Sequence, residues 1–308
     1  MNGPLLRGPV LRLTRSGWFQ RLAGGPLGQR VASRFVAGAE LEDAIRAAKA
    51  LDGRNISAIL DHLGENVTAP EHVDAAVGAY VRALERIRRE PFLDLGISVK
   101  LTQLGLDFSH QLCVESMERV LEAAKSADTL VMIDMESSVY VDRTLAVHRE
   151  LRERHQRVGV CLQSALRRTA RDVEELPPSS TIRMVKGAYL EPAAIAFTSR
   201  REVDAAFARL TATLLARGHV VHVATHDPKL LDGTVAFVER RQLPWSQVEL
   251  QMLLGIRRDL QDRLATRGYP VRVYLPYGSE STPYLTRRLV ERPANMWFFL
   301  SNLVRIGR

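Results

Sequence analysis

Residues Leu130–Ser138 read LVMIDMESS: four apolar side chains, then Asp134 and Glu136 in alternation, then two serines. A run this short, with Val131 and Ile133 β-branched, has the pattern of a buried strand, and Asp134 stands where the chain would leave the sheet. Seven more runs share the form: Ile56–Leu60, Gly96–Leu101, Val158–Leu162, Ile182–Val185, Val220–Ala224, Val248–Met252 and Val271–Leu275. Between them lie segments with helical periodicity, among them SMERVLEAAKSA, EVDAAFARLTATLLARG and IRRDLQDRLATRG, and ELEDAIRAAKAL precedes the first strand. Strand and helix in turn argue for βαβ units and a parallel sheet. Eight such units in about 250 residues match the size of a (βα)8 barrel. A doubly wound sheet is the second choice, weakened because no Gly-x-Gly-x-x-Gly follows the first strand.

Each apolar run ends in a polar or ionisable group. In chain order these are Asp61, Lys100, Asp134 with Glu136, Gln163, Lys186, Thr225 with His226, Gln251, and Tyr274. One polar strand end is ordinary, because loops begin there. Eight in series mark the C-terminal mouth of a barrel, where active sites are built. A second pattern follows Pro283. On a helix, Tyr284, Arg287, Arg288 and Glu291 fall at i, i+3, i+4 and i+7 and share one side. A solvated face with an Arg–Glu pair is the plain reading, and a fork of donors for a carboxylate is the functional one.

Composition narrows the choice. The net charge of +8 is uneven: Met1–Gly38 has no acidic residue but carries Arg7, Arg12, Arg15, Arg21, Arg30 and Arg34. That stretch reads as a basic lead-in, flexible or lying on an anionic surface, ahead of a single domain over 39–308. Aromatic residues are only 6% and do not interleave with a basic stripe, which argues against nucleic acid. Two unpaired cysteines, Cys113 and Cys161, fit a reducing compartment and no structural zinc. No apolar run reaches the roughly 18 residues that span a bilayer. The expected place is the cytoplasm, with peripheral contact at the inner face of the membrane.

Several segments match one family in order: SVKLTQLGLD (Ser98–Asp107), VMIDMESS (Val131–Ser138), VGVCLQSALRRTARDV (Val158–Val173), RMVKGAYLEP (Arg183–Pro192), ATHD (Ala224–Asp227), ELQMLLGI (Glu249–Ile256) and VYLPYGSESTPYLTRRLVERPANMWFFL (Val273–Leu300). Over about Leu41 to Arg305 the chain resembles a monofunctional, bacterial-type proline dehydrogenase. The resemblance implies a distorted (βα)8 barrel with N-terminal helices that binds FAD and oxidises L-proline to Δ1-pyrroline-5-carboxylate. It also implies electron transfer to a membrane quinone and a separate pyrroline-5-carboxylate dehydrogenase, met in transient contact, that consumes the product.

The resemblance carries residue roles onto these positions. Arg287 and Arg288 become a clamp for the proline carboxylate, planar where lysine would offer a point charge, with Glu291 holding the guanidinium groups. Lys100 is placed near that carboxylate with Asp134 beside it. Asp134 is the obvious candidate for taking the amine proton, though the acceptor is not legible from sequence. Tyr274, Tyr284, Tyr189 and Met184 line the substrate pocket, Tyr274 against the ring, and Tyr274 favours proline over hydroxyproline. For the cofactor, Arg183 reaches the flavin's pyrimidine edge or N5, and Gly187 lets backbone approach it closely. Met135, Gln163, Val185, Lys186, Ala188, Thr225, His226 and Gln251 complete the FAD set, with Arg200 and Arg201 within reach of pyrophosphate. Two departures stand out: Asp227 replaces the usual Asn near FAD, and Ser281 stands where relatives often carry tryptophan. Rival readings are a Schiff-base lysine at Lys100 or Lys186, a metal-dependent barrel using His226 and Asp227, and a non-enzymatic basic coat protein.

Overall fold

The computed structural model describes residues 34–64 and 67–279. Helix α1 (Leu41–Asp52) leads into β1 (Ser57–His62), and α2 (Pro70–Ile87) into β2 (Leu95–Val99). Then come α3 (His110–Ser126), β3 (Leu130–Ile133), α4 (Val141–Arg152), β4 (Val158–Gln163), α5 (Thr169–Glu174) and β5 (Thr181–Val185). The last units are α6 (Arg200–Ala216), β6 (Val220–Ala224), α7 (Pro228–Arg241), β7 (Val248–Leu253), α8 (Arg258–Thr266) and β8 (Val271–Tyr277). All eight strands pair parallel in sequence order, and β1 closes on β8 from Ser57 opposite Arg272 to His62 opposite Tyr277. The barrel reading holds and the open sheet does not.

Local chemistry sets the helix starts. The Ser109 and Ser199 side chains accept from the backbone N–H of Leu112 and Glu202, satisfying donors the first turn leaves unpaired. Asp227 does the same at α7, accepting from the Lys229 N–H, with Pro228 pre-set at the first helical position. Strand alternation then sorts each run into two faces. Outward residues such as Val131, Ile133, Val160, Ile182, Met184, Val221, Val223 and Leu250 lie buried in the apolar core with the helices.

The inward face is unusual for this architecture. Barrel interiors are generally packed with branched apolar layers, but here Asp61, Ser98, Arg183, His222, Gln251 and Arg272 are all buried. The sheet therefore wraps a polar column. Three cations, Lys100, Arg183 and Arg272, meet the carboxylates of Asp61, Asp134 and Glu249 along it, and Arg272 also reaches exposed Asp94 just before β2.

One boundary moves. Phe35 and Val36 are buried against Leu63 and Ile256, the Ala37 N–H donates to the Pro276 carbonyl, and the Gly278 N–H donates to Gly38. Residues 35–38 thus belong to the barrel, and a lead-in that ends at Gly38 is too long. Gly255 explains the fit: φ is +75°, and a Cβ there would stand 1.9 Å from the Arg34 carbonyl oxygen. Residues 1–33, which hold most of the acid-free segment, lie outside the described residues.

Candidate active site at the barrel mouth

Arg183 organises the mouth. It sits on the inward face of β5 with a side chain only 4% exposed. Its Nε donates to Gln251 Oε1 at 2.7 Å, and its Nη1 donates to Ser98 Oγ at 2.9 Å and Asp134 Oδ1 at 2.6 Å. Its Nη2 is buried and has no hydrogen-bond partner among the described residues. Leaving a guanidinium donor buried and unpaired costs about 1–3 kcal/mol or more, so the fold supports a donor that awaits an acceptor.

Asp134, at the end of β3, is saturated with donors. Ser98 and Arg183 bond Oδ1, and the Tyr274 hydroxyl donates to Oδ2 at 2.7 Å. Burial by itself would raise its carboxyl, but Arg183 and Lys100, with the two hydroxyls, outweigh it and hold the group below its usual range. Such a carboxylate anchors its neighbours; it is poorly disposed to take a proton. The Tyr274 ring lies 5.3 Å from the Arg183 guanidinium carbon, so one of its faces is covered by a cation.

Lys100 is flanked by two carboxylates, Asp61 Oδ1 at 2.6 Å and Asp134 Oδ2 at 3.6 Å. Burial would lower the ammonium's pKa, yet Asp61 and then Asp134 more than offset it and raise the group above its ordinary value. A lysine held this firmly as a cation is unsuited to Schiff-base chemistry, which needs the neutral amine. Lys186 is paired instead with Asp204 at 2.5 Å and Asp227 at 3.3 Å. Asp61 itself was legible as a strand end but not as a member of the site. Its carboxyl is raised by burial against the pull of Lys100, and its Oδ2 is buried without a partner among the described residues.

The expected cofactor positions divide. Gln163 donates from Nε2 to the Glu136 carbonyl, and Glu136 accepts from the hydroxyl and backbone of Thr102. Thr225 Oγ1 accepts from the Asp227 N–H, and His226 Nε2 accepts from the Leu253 N–H. Gln163, Thr225 and His226 stand at the ends of β4 and β6, with half-buried Val185 and Tyr189 and exposed Gly187 and Ala188 after β5 between them, and buried Met135 follows β3. The Gln251 amide is engaged inside the barrel, behind Arg183. Gly187 has a constraint of its own within the chain. Its φ is +109°, a backbone conformation that strains any side chain, and a Cβ would stand 2.9 Å from Gln163 Oε1.

Two expectations are corrected. Met184 is fully buried on the outward face of β5, in the apolar core, because its neighbour Arg183 faces inward. It cannot line a pocket at the mouth. Asp227 does not add bare charge there. It caps α7 and pairs with Lys186 and Arg200, which overcome burial and hold its carboxyl down. Tyr284, Arg287, Arg288 and Glu291, with Ser281, lie outside the described residues. Among the described residues the one metal-ligating cluster, Glu118, Glu122 and His155, sits on α3 and just after α4 rather than at the strand ends. Glu118 there is already paired with Arg154 and His155. No described helix is long and apolar enough to cross a membrane.

Comparison with known proteins adds the family. The proline dehydrogenase family model matches residues 44–300. The chain belongs to the proline dehydrogenase family. It is 37% identical over 288 residues to proline dehydrogenase 1 of Bacillus subtilis strain 168, covering 93% of this chain and 94% of that protein. With the proline dehydrogenase of Deinococcus radiodurans it shares 36% identity, over 99% of this chain and 100% of the relative. In architecture it is similar to proline utilization A of Bdellovibrio bacteriovorus inactivated by N-propargylglycine. There the TM-score is 0.79 at 22% identity, covering 85% of this chain and 32% of that one. The closed parallel barrel of this chain thus matches the fold of about a third of that longer chain, the 32% it covers.

Proposed function

We propose that this chain oxidises L-proline to Δ1-pyrroline-5-carboxylate as the first step of proline catabolism, using FAD, with a membrane quinone as the later electron acceptor. The observation that carries the reading is the Arg183 guanidinium, clamped on two sides with Nη2 buried and without a partner among the described residues, in a family of proline dehydrogenases. An electron-rich acceptor fits that donor, as the pyrimidine edge or N5 of a flavin would. Gln163, Thr225 and His226 add neutral donors and acceptors on the same side, with the Lys186–Gly187–Ala188 backbone between them. Bound FAD supplies the acceptor for the hydride that leaves the carbon beside the proline nitrogen.

The remaining residues bind and orient. Lys100 stays charged between Asp61 and Asp134 and attracts the proline carboxylate. Asp134 holds Arg183, Ser98 and Tyr274 in one arrangement, and Tyr274 offers a flat wall to a five-membered ring. Each described mouth cation is already matched by a carboxylate: Lys100 by Asp61 and Asp134, Arg183 by Asp134. A zwitterionic substrate therefore needs additional positive charge, which is the role we assign to Arg287 and Arg288, with Glu291 and Tyr284 beside them. The basic segment before residue 34 is assigned to contact with the membrane that holds the quinone. The product passes to a pyrroline-5-carboxylate dehydrogenase.

An anaerobic absorbance spectrum before and after addition of L-proline tests this. A flavin band near ~450 nm that bleaches with proline is the expected result. A flavin band indifferent to proline moves the substrate to another cyclic amine, and a protein that binds no FAD overturns the reading.

A further inference from the structure

We propose that His222 is a positioning residue for Arg183, acting through the side-chain amide of Gln251. The inference rests on the FAD reading above and goes beyond it, since His222 touches neither the mouth nor any residue assigned to substrate.

The chain of contacts admits one orientation. Gln251 lies between three groups: Arg183 Nε at 2.7 Å, Glu249 Oε1 at 2.7 Å and His222 Nδ1 at 2.9 Å. Arginine Nε can only donate, so the amide oxygen of Gln251 must face it. A carboxylate can only accept, so the amide nitrogen must face Glu249. The second proton of that nitrogen then goes to His222 Nδ1, which must be the unprotonated ring nitrogen. Neutrality of the ring is favoured by its setting. His222 is 5% exposed, and burial lowers its pKa to about 4, with Glu249 opposing and Arg272 and Arg183 assisting.

Arg183 needs this support. Asp134 and Ser98 both bond Nη1, so one end of the guanidinium is fixed and the plane can still swing about it. The Gln251 oxygen on Nε supplies the second point, and two points set where Nη2 lies, which has no partner among the described residues. Gln251 in turn would be free to turn over without its two acceptors. Glu249 and Arg272 lock the base of the assembly, with Arg272 Nε donating to both Glu249 oxygens at 2.8 and 2.9 Å.

The test compares His222→Leu, which removes the acceptor at similar volume, with His222→Asn, whose carbonyl can accept in place of Nδ1. Each is purified with FAD and its flavin potential measured, alongside kcat and KM for proline. His222→Leu is expected to weaken the preference for reduced over oxidised flavin at least tenfold, a drop of about 30 mV for a two-electron couple. Its kcat should fall while the proline KM moves little, and His222→Asn should recover most of the potential. If the leucine variant does not fold, His222→Ala with and without added imidazole reads the same effect, and imidazole should restore the potential. Equal potentials in all forms overturn the proposal, as does an equal drop for leucine and asparagine. Wild-type protein without FAD overturns the cofactor reading and the proposal with it, so the two failures are distinguishable.

Discussion

Asp61→Asn removes one charge and almost no volume from the mouth, and its effect should be read at Lys100. Asp61 Oδ1 is 2.6 Å from the ammonium and Asp134 Oδ2 is 3.6 Å away. At an effective dielectric of about 20 these distances correspond to gross attractions of about 6 and about 5 kcal/mol, so Asp61 is the larger partner. Much of that is cancelled by the cost of burying the ions, and breaking one arm of a buried pair usually costs about 3–5 kcal/mol. If that loss falls on the protonated lysine, its pKa drops by roughly two to four units at 1.36 kcal/mol per unit. The sign follows from the raised native value. A lysine held above its ordinary pKa binds its proton through the neutral and mildly alkaline range, and the variant gives it up at lower pH. The assay is kcat/KM for proline from pH of about 6 to about 10, expressed as variant over wild type so that the substrate's own amine cancels. The ratio should be nearly flat at the acid end and fall toward the alkaline end, carried by KM. A ratio that stays level across the range would refute the account of Lys100 as a cation dependent on Asp61.

Three further outcomes can be measured, two from the described geometry and one from the role proposed for Arg288. Glu249→Gln leaves the buried Arg272 guanidinium with Asp94 as its carboxylate partner, beside the Ala58 and Asp94 carbonyls, and should cost about 3–5 kcal/mol, a fall in Tm on the order of 10 °C for a domain of this size, measured by circular dichroism. The wild-type Glu249 carboxyl is held down to about 2, with Arg272 and His222 outweighing burial, so its stabilisation is complete above its ordinary pKa and fades as pH falls toward 2. Denaturant titrations below pH of about 5 should show a shallower acid loss in Glu249→Gln than in wild type. Arg288→Lys replaces a planar fork by a point charge and should raise the proline KM at least about tenfold with FAD still bound, a loss of one charge-assisted bond; an unchanged KM would remove Arg288 from the clamp. Tyr274→Ser takes away both the ring and the hydroxyl that donates to Asp134, and kcat/KM should shift toward hydroxyproline relative to proline, whereas a constant ratio would detach Tyr274 from the substrate.

Strand positions were legible because each barrel strand is apolar on its outward face and short. The run Leu130–Asp134 became β3 over Leu130–Ile133, and Val220–Ala224 became β6 without change. The count of units suggested closure, since eight in about 250 residues is the size of a (βα)8 barrel, but an open doubly wound sheet stayed the second choice until β1 was seen to pair with β8. What the pattern does not carry is docking by irregular backbone. Phe35 and Val36 have no periodicity of their own, and their burial depends on Leu63 and Ile256, from loops far apart in sequence.

The site was legible at its rim and opaque one layer down, and strand geometry explains both. Polar residues at strand ends interrupt an apolar run and catch the eye, as Lys100, Asp134 and Tyr274 did, whereas Arg183, inside β5, was pointed to only by the family resemblance. Stepping back two residues along the same face reaches Ser98 from Lys100, Glu249 from Gln251 and Arg272 from Tyr274, which follows from the two-residue period of a strand. In ISVK, VELQML and VRVYL those residues are flanked by apolar neighbours and read as accidents within a core. Which of them meet cannot be read from one strand. Arg183 on β5 reaches Ser98 on β2 and Asp134 on β3 across the interior, contacts set by the tilt and stagger of the closed sheet. The same period separates Met184 from its expected place: one step from Arg183, it faces the helices, and a family match at that position cannot turn it inward.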